Sequence, residues 1–133
     1  KISKITSIED LFLLTTHFKE KDHENLYKAI KELNKDKKRS EINEGVKKII
    51  KENKYGKNLR ENIQLALIEE TENRYSDLKD KGSERRKKGI DTLVSELKLM
   101  SAQYKLKLFK ATGDKKDYLK IKKFLDEVEK DFT

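Results

Sequence analysis

No proline occurs in the 133 residues of this chain, and only five glycines do. Without the residues that break helices and build tight β-turns, an all-β domain is hard to assemble. Long helices joined by short, glycine-marked connections are easy. Charged residues make up 44% of the chain and hydrophobic ones 34%, close to the composition at which chains stop burying enough apolar surface to fold. The apolar positions are nevertheless regularly spaced. They predict a slim all-α protein of about five helices, with residues 1–133 as a single helical domain.

The helical periods can be placed from the N-terminus onward. Ser7, with Asp10 in the capping-box position, opens a first helix bearing Ile8, Leu11, Phe12, Thr15 and Phe18. The pattern pauses over residues 19–25 and resumes at Leu26, Tyr27, Ile30 and Leu33. The pause is either a break between two helices of an N-terminal segment, 1–39, or a polar turn inside one. Ser40 begins a short helix within 40–57, carrying Ile42, Val46, Ile49 and Ile50, with Gly56 as its C-cap.

Residues 58–133 predict an antiparallel three-helix bundle. Its first helix starts at Asn58, turns Leu59, Ile63, Ala66, Leu67, Thr71, Tyr75 and Leu78 inward, and ends at Gly82. Ser83 caps the second, 83–112, which turns Ile90, Leu93, Val94, Leu97, Met100, Tyr104 and Leu108 inward and closes at Gly113. Asp114 caps the last, with Tyr118, Ile121, Leu125, Val128 and Phe132 inward. Tyr104–Lys110 alternates as a strand does, yet the longer helical period passes through it in register. On this reading Leu97→Ala and Leu125→Ala each cost about 2–5 kcal/mol.

Chemistry is sparse. The chain has no cysteine, hence no disulfide and no thiolate metal site. Glu20 and His23 have the Glu-x-x-His spacing of di-iron bundles, but a second such pair is lacking, and an ordinary surface histidine is the plainer reading for His23 and for His17. No glycine-rich phosphate loop occurs, and nothing local suggests a nucleophile activated by a histidine and an orienting acid. Glu69, Glu70 and Glu72 read as a solvated face. Neither enzymatic activity, nor a metal, nor a cofactor is expected. No apolar run is long enough to span a bilayer. The chain begins with Lys rather than Met, which leaves room upstream for a targeting segment or a lipidated N-terminus.

The net charge is +8, from 33 cationic and 25 acidic side chains. Lys47, Lys48, Lys51, Lys54 and Lys57 gather around Tyr55, and Lys81 precedes the run Arg85, Arg86, Lys87, Lys88. Residues 103–123 hold eight lysines against two aspartates, whereas 59–80 and 124–133 are each net −3. If Ser83 starts a helix, the run lies at an N-terminus, where the macrodipole disfavours cations. Placement against the dipole hints at use, and marks Lys81, Arg85, Arg86 and Lys88 as candidate partner-binding residues; Lys54, Tyr55 and Lys57, from the basic group around Tyr55, are candidates beside them. Changing Lys81, Arg85, Arg86 and Lys88 to Gln is expected to leave stability unchanged or slightly raised. Four successive cations point four ways around a helix, which suits one nucleic-acid groove poorly. An acidic protein surface, a nucleic acid, or a solubilising face without a specific partner all remain open, as does a helical assembly or spacer role.

The phrases SELKLMSAQYKLKLFKATGDKKDYLKIKKFLDEVEKDF and IKELNKDKKRSEINEGVKKIIKEN resemble the mature parts of helical outer-surface lipoproteins of Borrelia spirochaetes. Within that group the chain is most similar to the small factor H-binding lipoproteins of relapsing-fever species. The resemblance implies a surface-exposed module, lipid-anchored to the outer membrane through an upstream cysteine. Its implied role is virulence by complement evasion, capturing the host complement regulator factor H. It carries over no binding residue.

Overall fold

The computed structural model describes residues 7–19, 23–34, 44–52 and 59–133. Among them are six α-helices and no strand: α1 (Ile8–Thr15), α2 (His23–Asn34), α3 (Glu44–Glu52), α4 (Leu59–Lys87), α5 (Leu93–Thr112) and α6 (Lys115–Asp131). The fold is all-α. The chain divides into two compact units, Lys1–Leu67 and Ile68–Thr133, with the boundary inside α4.

In the first unit, the Ser7 hydroxyl accepts from the Asp10 N–H at 3.2 Å and caps α1. The helix stops at Thr15, so the pause in the apolar pattern is a break between helices. The end of α1 is well supplied with donors. The Thr15 and Thr16 hydroxyls donate to the carbonyls of Phe12 and Leu13 at 2.6 and 2.7 Å. Arg60, from the first turn of α4, donates to the carbonyls of Thr15 and Phe18 at 2.8 Å and of Lys19 at 3.1 Å. A single guanidinium thereby ties the last residue of α1 and the turn that follows it to the start of α4. Leu11, Phe12, Leu26, Ile30, Val46, Leu59 and Ile63 are buried.

The second unit is a three-helix bundle in which each helix runs antiparallel to the next. Glu72 meets Lys110 at 2.8 Å and Arg86 meets Glu96 at 2.9 Å, so α4 descends as α5 rises. Ser95 and Lys98 meet Asp131, while the Phe109 and Tyr118 rings stand 5.6 Å apart beside the α5–α6 turn. That turn is built as its sequence predicts. Gly113 takes a φ of 65°, its N–H donates to the Phe109 carbonyl at 2.7 Å, and Asp114 accepts from the Lys116 N–H at 2.9 Å. The α6 stripe of Tyr118, Ile121, Leu125, Val128 and Phe132 is buried throughout.

Two expectations are overturned. The first concerns α4, which does not end at Gly82. It continues to Lys87, and the second helix of the bundle begins at Leu93 rather than Ser83. Gly82 is buried within the helix, and a Cβ there would lie 3.2 Å from Cζ of Phe132; the missing side chain lets that ring rest close on the helix. The terminating glycine is Gly89, at φ 80°. Its N–H donates to the Arg86 carbonyl and the Ile90 N–H to the Arg85 carbonyl, both at 3.0 Å, the paired bonds of a Schellman C-cap.

The second correction concerns the inward face of α5. Ile90, Leu93, Val94, Leu97, Met100 and Tyr104 lie outside the core, between 46 and 64% exposed. The buried face is Ser95, Leu99, Ala102, Leu106 and Phe109. Leu125→Ala and Leu99→Ala are therefore expected to cost about 2–5 kcal/mol in denaturant unfolding, and Leu97→Ala within about 0.5 kcal/mol of nothing. Gly89→Ala, forcing a side chain into the left-handed region, costs about 1–2 kcal/mol. An equal loss at positions 97 and 99 contradicts this assignment of faces.

Candidate interaction surfaces

The α4–α5 corner carries the cationic run in a setting opposite to the one expected. Arg85, Arg86 and Lys87 occupy the last turn of α4, where the helix presents partial negative charge and cations are favoured. Capping bonds close directly around them. The Lys88 N–H donates to the carbonyls of Glu84 and Arg85 at 3.3 and 3.1 Å. Placement against the dipole, which singled the run out as functional, is thus not a property of the folded chain.

The four nominated cations of this corner separate into two kinds. Arg85 is half-buried; its guanidinium donates to the Phe132 carbonyl and stands 5.2 Å from the centroid of the Phe132 ring. Arg86 is held by Glu96 across the turn. Both fasten the end of α4 to its neighbours, with the Arg85 contact adding a cation–π component. Lys81 and Lys88 are exposed, as is Lys87 between them in sequence. Lys54, Tyr55 and Lys57 lie outside the described residues.

A surface that sequence reasoning assigned to the core is the more distinctive one. Leu93, Leu97, Met100 and Tyr104 recur at intervals of four, three and four along α5, the spacing of a coiled-coil seam. Val94, and Ile90 in the connection just before α5, extend this into an apolar strip that is exposed along its length. Scattered exposed apolar residues are ordinary, but a contiguous strip of six large ones marks an interaction surface. The signal was present in the sequence as an apolar period, read there with the opposite sign.

Polar groups pin the buried side. Arg74 donates to Asp126 at 2.7 Å and to Glu129 at 2.6 Å, joining α4 to α6. Burial pulls the Arg74 pKa down, but the bonds and charges of the two carboxylates outweigh it and raise the value overall. Asp131 accepts from the Ser95 hydroxyl at 3.1 Å and from Lys98 at 3.3 Å. Those two bonds, the Ser95 one first, hold its carboxyl below the ordinary range. Among the described residues no group of three His, Asp or Glu side chains is placed to hold a metal ion, and no helix is long and apolar enough to cross a membrane. No family model, curated protein or solved structure matches the chain.

Lys87→Gln/Lys88→Gln is expected to lower the thermal midpoint modestly at low salt, and the loss should fade as salt is added. An unchanged or raised midpoint would place the run away from a helix C-terminus. A carboxyl with a depressed folded pKa contributes stability above its unfolded pKa and loses it as pH falls through the folded value. Asp131→Asn should therefore leave stability less steeply dependent on pH below about 4, where an ordinary Asp titrates. Thermal midpoints measured across that range, with parallel curves for the two proteins, would remove Asp131 from the account.

Proposed function

We propose that the chain is a non-enzymatic binding module that captures another protein through the outer strip of α5. The observation that carries this reading is the strip itself. Five large apolar side chains of α5, with Ile90 just before the helix, stand outside the core, 46–64% exposed, and present surface that water disfavours. Burial under a partner supplies the contribution that folding does not. Helical docking of this kind reads a partner through anchors at three- and four-residue intervals. The exposed Lys81, Lys87 and Lys88 at the adjoining corner would speed encounter with an acidic partner more than they add affinity.

The resemblance to Borrelia surface lipoproteins supplies a candidate for that partner, the host complement regulator factor H. It also supplies a setting, in which the module is displayed on the outer membrane by a lipid anchor attached upstream. A rigid bundle with short connections suits display outside a cell. Nucleic-acid binding is the competing outcome, since residues 103–123 concentrate lysines.

The test immobilises the full chain and measures capture of purified factor H and of serum proteins, alongside a salt-series shift assay on random DNA. Leu97→Glu/Met100→Glu is expected to lose at least about tenfold in affinity for the captured protein, as removal of central anchors does. Undiminished capture by that variant, or DNA binding with a steep salt dependence and no protein captured, would refute the reading.

A further inference from the structure

The outer strip is self-complementary, and, resting on the protein-binding reading above, we infer that its occupant in the isolated protein is a second copy of this chain. The two α5 helices pack antiparallel about a two-fold axis near Ser101 and Ala102. Three observations lead to this pairing: the size of the strip, the charges along its edges and its spacing.

The exposed parts of Leu93, Leu97, Met100 and Tyr104, which this register sets against the second copy's α5, amount to on the order of 500 Å² per copy, within the range of the largest patch on a monomer and at the small end for an interface. Area does not fix affinity, and a Kd of about one micromolar, the weak end of the range for specific interfaces, is the value the test below takes.

The edges match only in the antiparallel sense. Glu96 and Lys107 lie eleven residues apart, three helical turns or about 16 Å, and so stand on the same flank of the strip. The two-fold axis returns each flank to itself with its direction reversed. Each Glu96 then meets the second copy's Lys107, and the contact occurs twice. Glu96 already accepts from Arg86 at 2.9 Å, and a carboxylate has acceptor sites for both cations. On the other flank Lys98 approaches the second copy's Lys105, and Asp131, 3.3 Å from Lys98, offsets the like charges. Residues 68–133 carry seventeen cations and fourteen acids, net +3 against +8 for the whole chain, so pairing through this unit meets little general repulsion.

The same axis fits the apolar knobs. Leu97 falls between the second copy's Tyr104 and Leu108, and Met100 meets Met100 beside the axis, where only Ser101 is small. This is the interdigitation that the four-three spacing makes possible.

Sedimentation equilibrium on the full chain tests the pairing. The wild type should be dimeric at about 100 μM, well above a micromolar Kd. Leu97→Glu should be monomeric there with unchanged far-UV circular dichroism. Lys107→Glu should weaken the dimer at least about tenfold, and by clearly less in a Glu96→Gln background, because the two residues are coupled. A monomeric wild type at that concentration overturns the inference, as does a dimer that Leu97→Glu leaves intact. If the wild type is monomeric and Leu97→Glu still loses captured factor H, self-pairing is wrong and the protein-binding reading stands. If Leu97→Glu abolishes the dimer without altering capture, self-pairing stands and that reading fails.

Discussion

Helix α5 has two apolar seams on opposite sides, and a three-helix bundle can bury only one. Ser95, Leu99, Ala102, Leu106 and Phe109 recur at four, three, four and three. Leu93, Leu97, Met100 and Tyr104 recur at four, three and four, two residues out of step with the first set. Two residues are about 200° on a helix, so the seams stand back to back. The buried seam contains the small residues Ser95 and Ala102. Burying that side sets Ser95 and Lys98 against Asp131, Glu96 against Arg86 and Lys110 against Glu72. Exposure of the other side follows, and with it the surface on which the proposed function rests.

The same choice explains what sequence reasoning could and could not see. α6 was legible because its apolar residues gather on one stripe and, Leu119 and Phe124 apart, every other position is charged, leaving no second seam. Ser7, Gly113 and Asp114 were legible because capping is local chemistry, decided within three or four residues. The face of α5 was not legible, because both seams obey the same period and the exposed one holds the larger side chains. Which seam is buried depends on the neighbours' shapes, which a single helix does not encode. The residues that hold the corner were found for the wrong reason. Arg85 and Arg86 were picked out as partner-binding cations, yet Arg85 serves the Phe132 carbonyl and Arg86 serves Glu96.

The helix boundary at residues 82–93 shows the same limit in a smaller compass. Gly82 and Gly89 are both plausible terminators, and Ser83 makes the first the tidier reading. What decides between them is 50 residues away. The Phe132 ring lies against Gly82 in the helix, 3.2 Å from where a Cβ would stand, a contact that sequence around residue 82 does not reveal. The helix dipole agrees with this solution, although the sequence reading took it as a sign of function. Four cations that are unfavourable at a helix start are favourable at a helix end, and the discomfort of the first placement was a signal to extend the helix to Gly89.

The whole account turns on which side of α5 faces solvent, and the cysteine-free chain allows a direct measurement. Leu97→Cys and Leu99→Cys, each the only thiol in its protein, can be labelled in dilute solution with a soluble thiol reagent under native conditions. The thiol at 97 should react at nearly the rate of an unfolded control, and the thiol at 99 should react only through opening of the bundle, orders of magnitude more slowly. If position 99 labels as fast as 97, or 97 is the protected one, the bundle buries the other seam and the interaction surface described for α5 does not exist.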